Sequence, residues 1–389
     1  MQVDLSAEHL AFRQRVRGYM AERMMTADFL AELKEPRFAH GGGPIYWDKL
    51  RQLGEDGWIR LSWPKDLGGG DADPVQQYIL VEEAKRVGFP WPALSANSIG
   101  PMVARYAQPA IRDRVVSEIL AGEAYLAIGY SEPNAGSDLA NLRTRAVREG
   151  DEWVINGQKI WTSCANFAQY IWLAARTDPD PAKRHKGISI FLVPTDSPGY
   201  SCTPIETLGV GTTATYYQDV RVPDSHRIGE LNGGWPLITS QLNLERLSLA
   251  NYGHVAVLYD QTLALLKSDP DCASLLAEPW VQRNLALAKT RLEALKLLCF
   301  KALWVMSNGG SGMVEASVTK VFGSELYVEL GRLMNEILGP VSLLREGPGV
   351  LADGLIEKWY RKGTVHTFGG GANELQRNII AQAGLGLPR

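Results

Sequence analysis

Cysteine is scarce in this 389-residue chain: Cys164, Cys202, Cys272 and Cys299 are the only four, and they form neither a close pair nor a metal-ligand spacing. That excludes a disulfide framework and fits reduced thiols in a cytosolic protein. Long apolar runs are missing as well, and none approaches the length of a membrane span. The opening MQVDLSAEHLAFRQRV carries charges where a secretory leader needs an apolar stretch. Charge of one sign is not in excess either. The formal net charge is −3, with Lys and Arg interspersed among Asp and Glu, which argues against a nucleic-acid or membrane-surface binder. No Gly-x-Gly-x-x-Gly turn follows a strand and no Walker loop occurs, so neither a Rossmann site nor a P-loop is claimed. The expectation is a cytoplasmic protein of two or three domains, since the length exceeds that of a usual single core.

What is present falls into three textures. Up to about residue 122 apolar residues recur at helical spacing, as in Phe12, Val16 and Tyr19, with Ser6 upstream as a cap. The loop LSWPKDLGGGDADP divides this region into two helical groups. From 123 the pattern changes to short strands. EWVINGQKIW reads as a hairpin turning at Asn156-Gly157, and GISIFLVP and YYQDVRVP read as strands stopped by proline. From 234 long helical patterns return over 236–267, 279–308, 315–338 and from about 372, a set that suits an antiparallel four-helix bundle. The expected fold is therefore α+β: a helical domain over 1–122, a small β domain over 123–233 and a helical bundle over 234–389.

Three fragments carry the chemistry. In SQLNLERLSLANYGH, Ile238, Leu242, Glu245, Leu249 and Tyr252 are spaced to share one helix face, which places a carboxylate in an apolar stripe. Such a glutamate is either half of a structural ion pair or a general base, because burial disfavours its charged form. In GYSEPNAGSDLANLRTRAV, Gly136 and Ser137 leave backbone amides and a hydroxyl for an anionic or carbonyl ligand. A strand ending in Trp161-Thr162-Ser163 puts Trp161 and Ser163 on one face, an indole beside a hydroxyl, which suits a flat aromatic ligand or equally a core Trp and a turn. In TFGGGANELQRN, three consecutive glycines, Gly369 to Gly371, precede a helix and offer only backbone.

Together GYSEPNAGSDLANLRTRA, INGQKIWTS, DVRVP, LNLERLSLA and NELQRNIIA, with GWIRLSWPKDLGG nearer the start, resemble the acyl-CoA dehydrogenases in order and spacing over essentially the whole chain. The resemblance implies FAD bound between the β domain and the bundle. It implies α,β-dehydrogenation of an acyl-CoA thioester by a carboxylate base, with an electron-transfer flavoprotein as acceptor. Most of the family carries its base just before the NELQR-like run, and that position here is Gly370. A minority places it in a Leu-Glu-Arg run on a bundle helix, here Leu244-Glu245-Arg246, so the resemblance and the stripe both select Glu245 as the catalytic residue. It further implies flavin contacts from Ile128, Tyr130, Ser131, Gly136, Ser137, Trp161 and Ser163. Substrate contacts are implied from Ser137, from the Arg246 cation on CoA, and from the Gly370 amide on the thioester carbonyl. Asn243 stands where many members have aspartate.

Two departures concern one function. The loop after the first bundle helix, KSDPDCASLLAEP, lacks the arginine that typical members direct at the neighbouring subunit's flavin pyrophosphate, and Glu336-Ile337-Leu338-Gly339-Pro340 replaces a Gln-to-Gly-Gly element. A pyrophosphate would be repelled by these carboxylates. These features together resemble the alpha subunits of actinobacterial α2β2 acyl-CoA dehydrogenases for steroid side chains, and the resemblance implies a non-identical beta subunit and a role in steroid catabolism. Two other readings stay open: a homo-oligomeric short- or branched-chain dehydrogenase, and a non-catalytic structural subunit whose Glu245 is an ion pair. The oxidase branch is disfavoured because it carries a further C-terminal helical domain.

Overall fold

A computed structural model describes residues 4–209, 211–249 and 251–388, without the side chains of 244, 246–249 and 271. The described chain forms two compact units, each assembled from separated stretches: Ala21–Asp73 with Pro90–Glu245, and Met1–Met20 with Pro74–Phe89 and Arg246–Arg389.

The first unit is built on one sheet. Its strands are β1 (Leu126–Gly129), β2 (Arg145–Glu149), β3 (Glu152–Lys159), β4 (Tyr170–Arg176), β5 (Ile188–Pro194), β6 (Tyr200–Ile205), β7 (Thr212–Pro223) and β8 (Arg227–Ile228). They lie in the order β6-β7-β3-β2-β4-β5-β8, with β1 paired in parallel to β4. β4 and β5 read as unbroken apolar runs, YIWLAAR and ISIFLVP, because nearly every residue on both of their faces is buried. Two expectations are corrected. Asn156-Gly157 is not a hairpin turn: β3 runs through it, and the turn from β2 falls at Gly150-Asp151, with Gly150 at φ +66. Gly157 instead sits at a bulge in the pairing with β7, where a Cβ would come within 2.7 Å of the Thr144 backbone. Nor does β3 reach Ser163. It ends at Lys159, and Trp161 follows with φ +64, so strand alternation does not set its direction.

Helices flank the sheet in sequence. The helix Pro44–Glu55 starts with proline, and its first free amides, Ile45 and Tyr46, donate to the Glu32 carboxylate at 2.8 Å each, a cap supplied from 13 residues away.

The second unit is helical: Ala7–Tyr19, Pro74–Arg86, Tyr252–Ser268, Pro279–Ser307, Met313–Leu338, Leu355–Gly363 and Asn373–Ile379. Ser6 caps the first helix as expected, its hydroxyl accepting from the His9 amide at 3.1 Å. Arg17 grips Glu83 with two bonds of 2.9 Å, joining Ala7–Tyr19 to Pro74–Arg86. The core gathers Leu258, Leu285, Leu292, Leu295, Leu326, Leu330, Met334 and Trp359 at helical spacing. The pattern expected as one helix over 236–267 is two, Gly234–Leu249 and Tyr252–Ser268. Asn251 adopts extended backbone between them and its side chain accepts from the His254 amide. Tyr252 therefore leaves the stripe that holds Glu245. The architecture is helical, then sheet, then helical, an α+β fold.

Candidate functional site

Within the sheet unit, Tyr130 and Ser131 follow β1 and meet the segment that follows β3. The Ile160 amide donates to the Ser131 carbonyl at 2.8 Å, and the Lys159 ammonium donates to the Tyr130 carbonyl at 3.0 Å. Lys159 also pairs with Glu132 at 2.8 Å, and the Glu132 carboxylate accepts from the amides of Arg143 and Thr144. Burial pushes the Lys159 ammonium down to about 8, with Glu132 opposing the shift. For Glu132 burial acts upward, but the Lys159 charge and the donated hydrogen bonds outweigh it and hold the carboxyl below its ordinary range. A mutual pair of bonds between Glu132 and Ala135 closes the next turn and leaves Gly136 and Ser137 exposed, with open space around Gly136.

Two strapped segments thus form one edge. Trp161 stands 55 % exposed at positive φ, an unfavourable conformation for a bulky residue and an unusual exposure for an indole. Ser163 is exposed beside it in sequence and its hydroxyl bonds Thr212 at 3.2 Å. Ile128 is half-buried on β1.

On the helix Gly234–Leu249 the inward face carries Leu237, Ile238 and the fully buried Gln241. Glu245, one turn on, is half-buried, and its Oε2 accepts from Gln241 Nε2 at 2.9 Å. Gln241 Oε1 accepts from the Tyr130 hydroxyl at 3.2 Å, and that hydroxyl accepts from Trp172 Nε1 at 2.8 Å. Burial raises the Tyr130 phenol above its usual range; the Trp172 bond pulls the other way, and the Glu245 charge adds to the rise. Asn243 is half-buried on the same helix, and the side chain of Arg246 lies outside the described residues.

In the helical unit, the glycine run forms a turn before Asn373–Ile379. Gly370 has φ +67 and Gly371 φ +100, backbone that side chains rarely adopt, so these two positions require glycine for conformation alone. Lys320, buried on Met313–Leu338, holds the turn from both ends, donating to the carbonyls of Thr367 at 3.2 Å and Gly371 at 2.6 Å and to Asn373 Oδ1 at 2.8 Å. Glu336 is exposed near the end of that long helix.

The sequence reading missed Gln241, Trp172, Glu132 and Lys159. Gln241 had a visible signal, since it lies four residues before Glu245 on a face otherwise apolar. Trp172 had none, being one aromatic within a buried strand.

Within the sheet unit, then, a carboxylate is anchored by a buried amide and a strained indole stands exposed. The chain belongs to the acyl-CoA dehydrogenase family, whose N-terminal, middle and C-terminal domain models match residues 6–123, 127–220 and 232–385. It is 41 % identical to the acyl-CoA dehydrogenase FadE26 of Mycobacterium tuberculosis, over 100 % of this chain and 99 % of that protein. Among solved structures it is similar to the Tcur3481-Tcur3483 steroid ACAD, with 42 % identity, TM-score 0.92 and full coverage of both chains. It is also similar to the ChsE4-ChsE5 complex from Mycobacterium tuberculosis, with 42 % identity, TM-score 0.89 and full coverage of both. The chain is thus an oxidoreductase of CH–CH groups in a family of FAD-dependent flavoproteins. The exposed Trp161 indole, the Ser163 hydroxyl and the Tyr130–Ser131 edge fit such a group, offering a flat apolar face with hydrogen-bonding partners beside it. Among the described residues no helix is long and apolar enough to cross a membrane.

Proposed function

We propose that this chain is the base-carrying subunit of a heteromeric FAD-dependent dehydrogenase that desaturates a bulky, steroid-linked acyl-CoA, with Glu245 as the base and an electron-transfer flavoprotein as electron acceptor. The observation that carries the reading is the anchored Glu245 carboxylate, together with a glycine of positive φ where most of the family holds its base. The α-hydrogen of a thioester is weakly acidic, so a carboxylate removes it only when aimed at it and when the developing enolate oxygen meets a preorganised donor. Glu245 supplies the acceptor. The Gly370 N–H is assigned to the thioester oxygen, Arg246 to the anionic CoA, and Ser137 to both substrate and cofactor. Ile128, Tyr130, Ser131, Gly136, Trp161 and Ser163 are assigned to the cofactor, and bound FAD supplies the acceptor for the β-hydrogen and its electron pair.

Heteromeric assembly is supported by the two-component make-up named for both similar structures and by the local charge. Where a cation would be needed for a flavin pyrophosphate, the 267–279 loop has no arginine, and Glu336 faces solvent. The missing half would come from a non-identical beta subunit. Expressed alone, the chain should be colourless, and co-expressed with the product of a neighbouring gene it should be yellow. Flavin bound stoichiometrically by the lone chain would remove the partner from the proposal. In the yellow complex, Glu245→Gln should retain FAD yet slow its bleaching by substrate by roughly 10²–10⁴-fold, the usual share of a general base. Bleaching at the wild-type rate would return Glu245 to a structural role.

A further inference from the structure

The hydrogen bonds that lead to Glu245 have a direction, and one residue sets it. An indole N–H can only donate, so the oxygen of Tyr130 must accept from Trp172. The phenolic hydrogen is then left to donate, and it goes to Gln241 Oε1. With its carbonyl oxygen so engaged, the Gln241 amide turns its two N–H bonds the other way. One reaches Glu245 Oε2 at 2.9 Å and the other lies 3.4 Å from Ser98 Oγ. Ser98 gives its own hydrogen to the Leu94 carbonyl, so its oxygen is free to accept, and this second anchor agrees with the first. Gln241 and Trp172 are both fully buried and Ser98 and Tyr130 nearly so, which makes each of these bonds costly to leave unmade.

We infer that Gln241 is a positioning residue that aims the Glu245 carboxylate, and that Trp172, acting through Tyr130, fixes which end of the Gln241 amide faces it. This deepens the reading of Glu245 as the base and rests on it. A reversed amide would set carbonyl oxygen against carboxylate oxygen, an arrangement that only a protonated, base-incompetent Glu245 tolerates. The imposed polarity instead serves an acceptor. The same chain of bonds ties the aim of the carboxylate to Tyr130, a residue assigned to the cofactor edge. The base and the cofactor platform are thereby held in one register within the sheet unit.

The test uses the FAD-loaded complex and the variants Gln241→Met and Trp172→Phe. Gln241→Met keeps the length of the side chain and removes the donor. The rate of FAD bleaching should fall by about ten- to a hundredfold, the range for losing a hydrogen bond to a charged group or misplacing a reacting one. Affinity for the thioester and FAD content should stay at wild-type values. The second readout needs no turnover: the infrared carboxylate band of Glu245, isolated as the difference between wild type and Glu245→Gln, should move in frequency when its donor is lost. Trp172→Phe should shift the band in the same sense and cost less in rate, because the amide keeps its Ser98 anchor.

A residue that merely fills space would lower stability or FAD content without moving that band. An unmoved band and a wild-type rate in Gln241→Met, while Glu245→Gln is inactive, would overturn the inference and leave the base assignment standing. Should Glu245→Gln itself bleach normally, the base assignment fails, and the band alone decides whether Gln241 holds the carboxylate. If Gln241→Met does not accumulate as folded protein, Tyr130→Phe, which removes a single oxygen, takes its place. A shifted band and slower bleaching then support the inference, and neither change overturns it.

Discussion

Each compact unit gathers a run of buried and half-buried polar and titratable side chains, and the two runs are built on opposite principles. In the sheet unit, Trp172, Tyr130, Gln241 and Glu245 form a directed series in which every donor meets an acceptor and the last member is a carboxylate. In the helical unit, His254, Tyr327, Trp359 and His366 stack by their rings instead. The Tyr327 and Trp359 centroids lie 4.0 Å apart at 11°, and His366 is 4.2 Å from Tyr327. There, burial is the main force holding both imidazoles neutral, with Lys85 and Lys362 acting in the same sense on each. His254 is driven well below its ordinary value, and His366 down to about 4. The contrast separates two uses of buried polarity: one arrangement presents charge at a defined point, the other suppresses it so that aromatic surface can pack.

The largest expected effect comes from breaking a charged pair in the sheet unit. Lys159→Met strands the Glu132 carboxylate and removes the ammonium that ties Tyr130 to β3, and should cost about 3–5 kcal/mol in urea unfolding, whereas the double variant Glu132→Gln/Lys159→Met should recover most of the part owed to the stranded charge. Equal losses in single and double variants would show that the pair is not what holds this edge.

Next in size is the acid response of the helical unit. The folded value for His366 lies below its unfolded 6.5, so the unfolded chain binds more protons between them, and stability present above pH 6.5 is lost as pH falls towards 4. The loss from this group is roughly 3 kcal/mol at most, and His366→Phe should flatten that part of a stability-against-pH curve. An unchanged acid slope would mean that the ring is not held neutral by its stack.

Smallest in stability, and most informative about substrate, is Gly370. Any side chain at φ +67 costs about 1–2 kcal/mol, so Gly370→Ala measures strain and Gly370→Leu measures strain plus volume. If the glycines make room for a bulky acyl group, Leu should depress turnover of steroid-linked thioesters well beyond Ala while short thioesters respond alike to both. Parallel losses on both substrate classes would remove the volume argument.

Much of the fold was legible because periodicity reports burial. Phe12 and Val16, the β5 run, and the helices Pro279–Ser307 and Met313–Leu338 emerged within a few residues of expectation. The failures were local contests between turn chemistry and pairing. Asn156-Gly157 carries the dipeptide preference of a tight turn, yet sheet pairing kept it in strand, and the glycine serves a close approach to Thr144. Asn251 lies inside the stretch read as one continuous helix and is the N-cap of the helix that begins at Tyr252. Among the candidate residues, Glu245 and the glycine run drew notice because a carboxylate in an apolar stripe and three consecutive glycines are both costly without cause. Trp172 and Lys159 stayed invisible because their roles depend on partners 42 and 27 residues away, respectively, which only the folded sheet brings near.

The proton removal proposed for Glu245 can be watched apart from the redox step by using a thioester that has an α-hydrogen but no β-hydrogen to lose. In deuterated water the wild-type complex should wash deuterium into the α-carbon, and Glu245→Gln with its FAD retained should do so about 10²–10⁴ times more slowly. Equal deuterium uptake by the two proteins would contradict the assignment of Glu245 as the base.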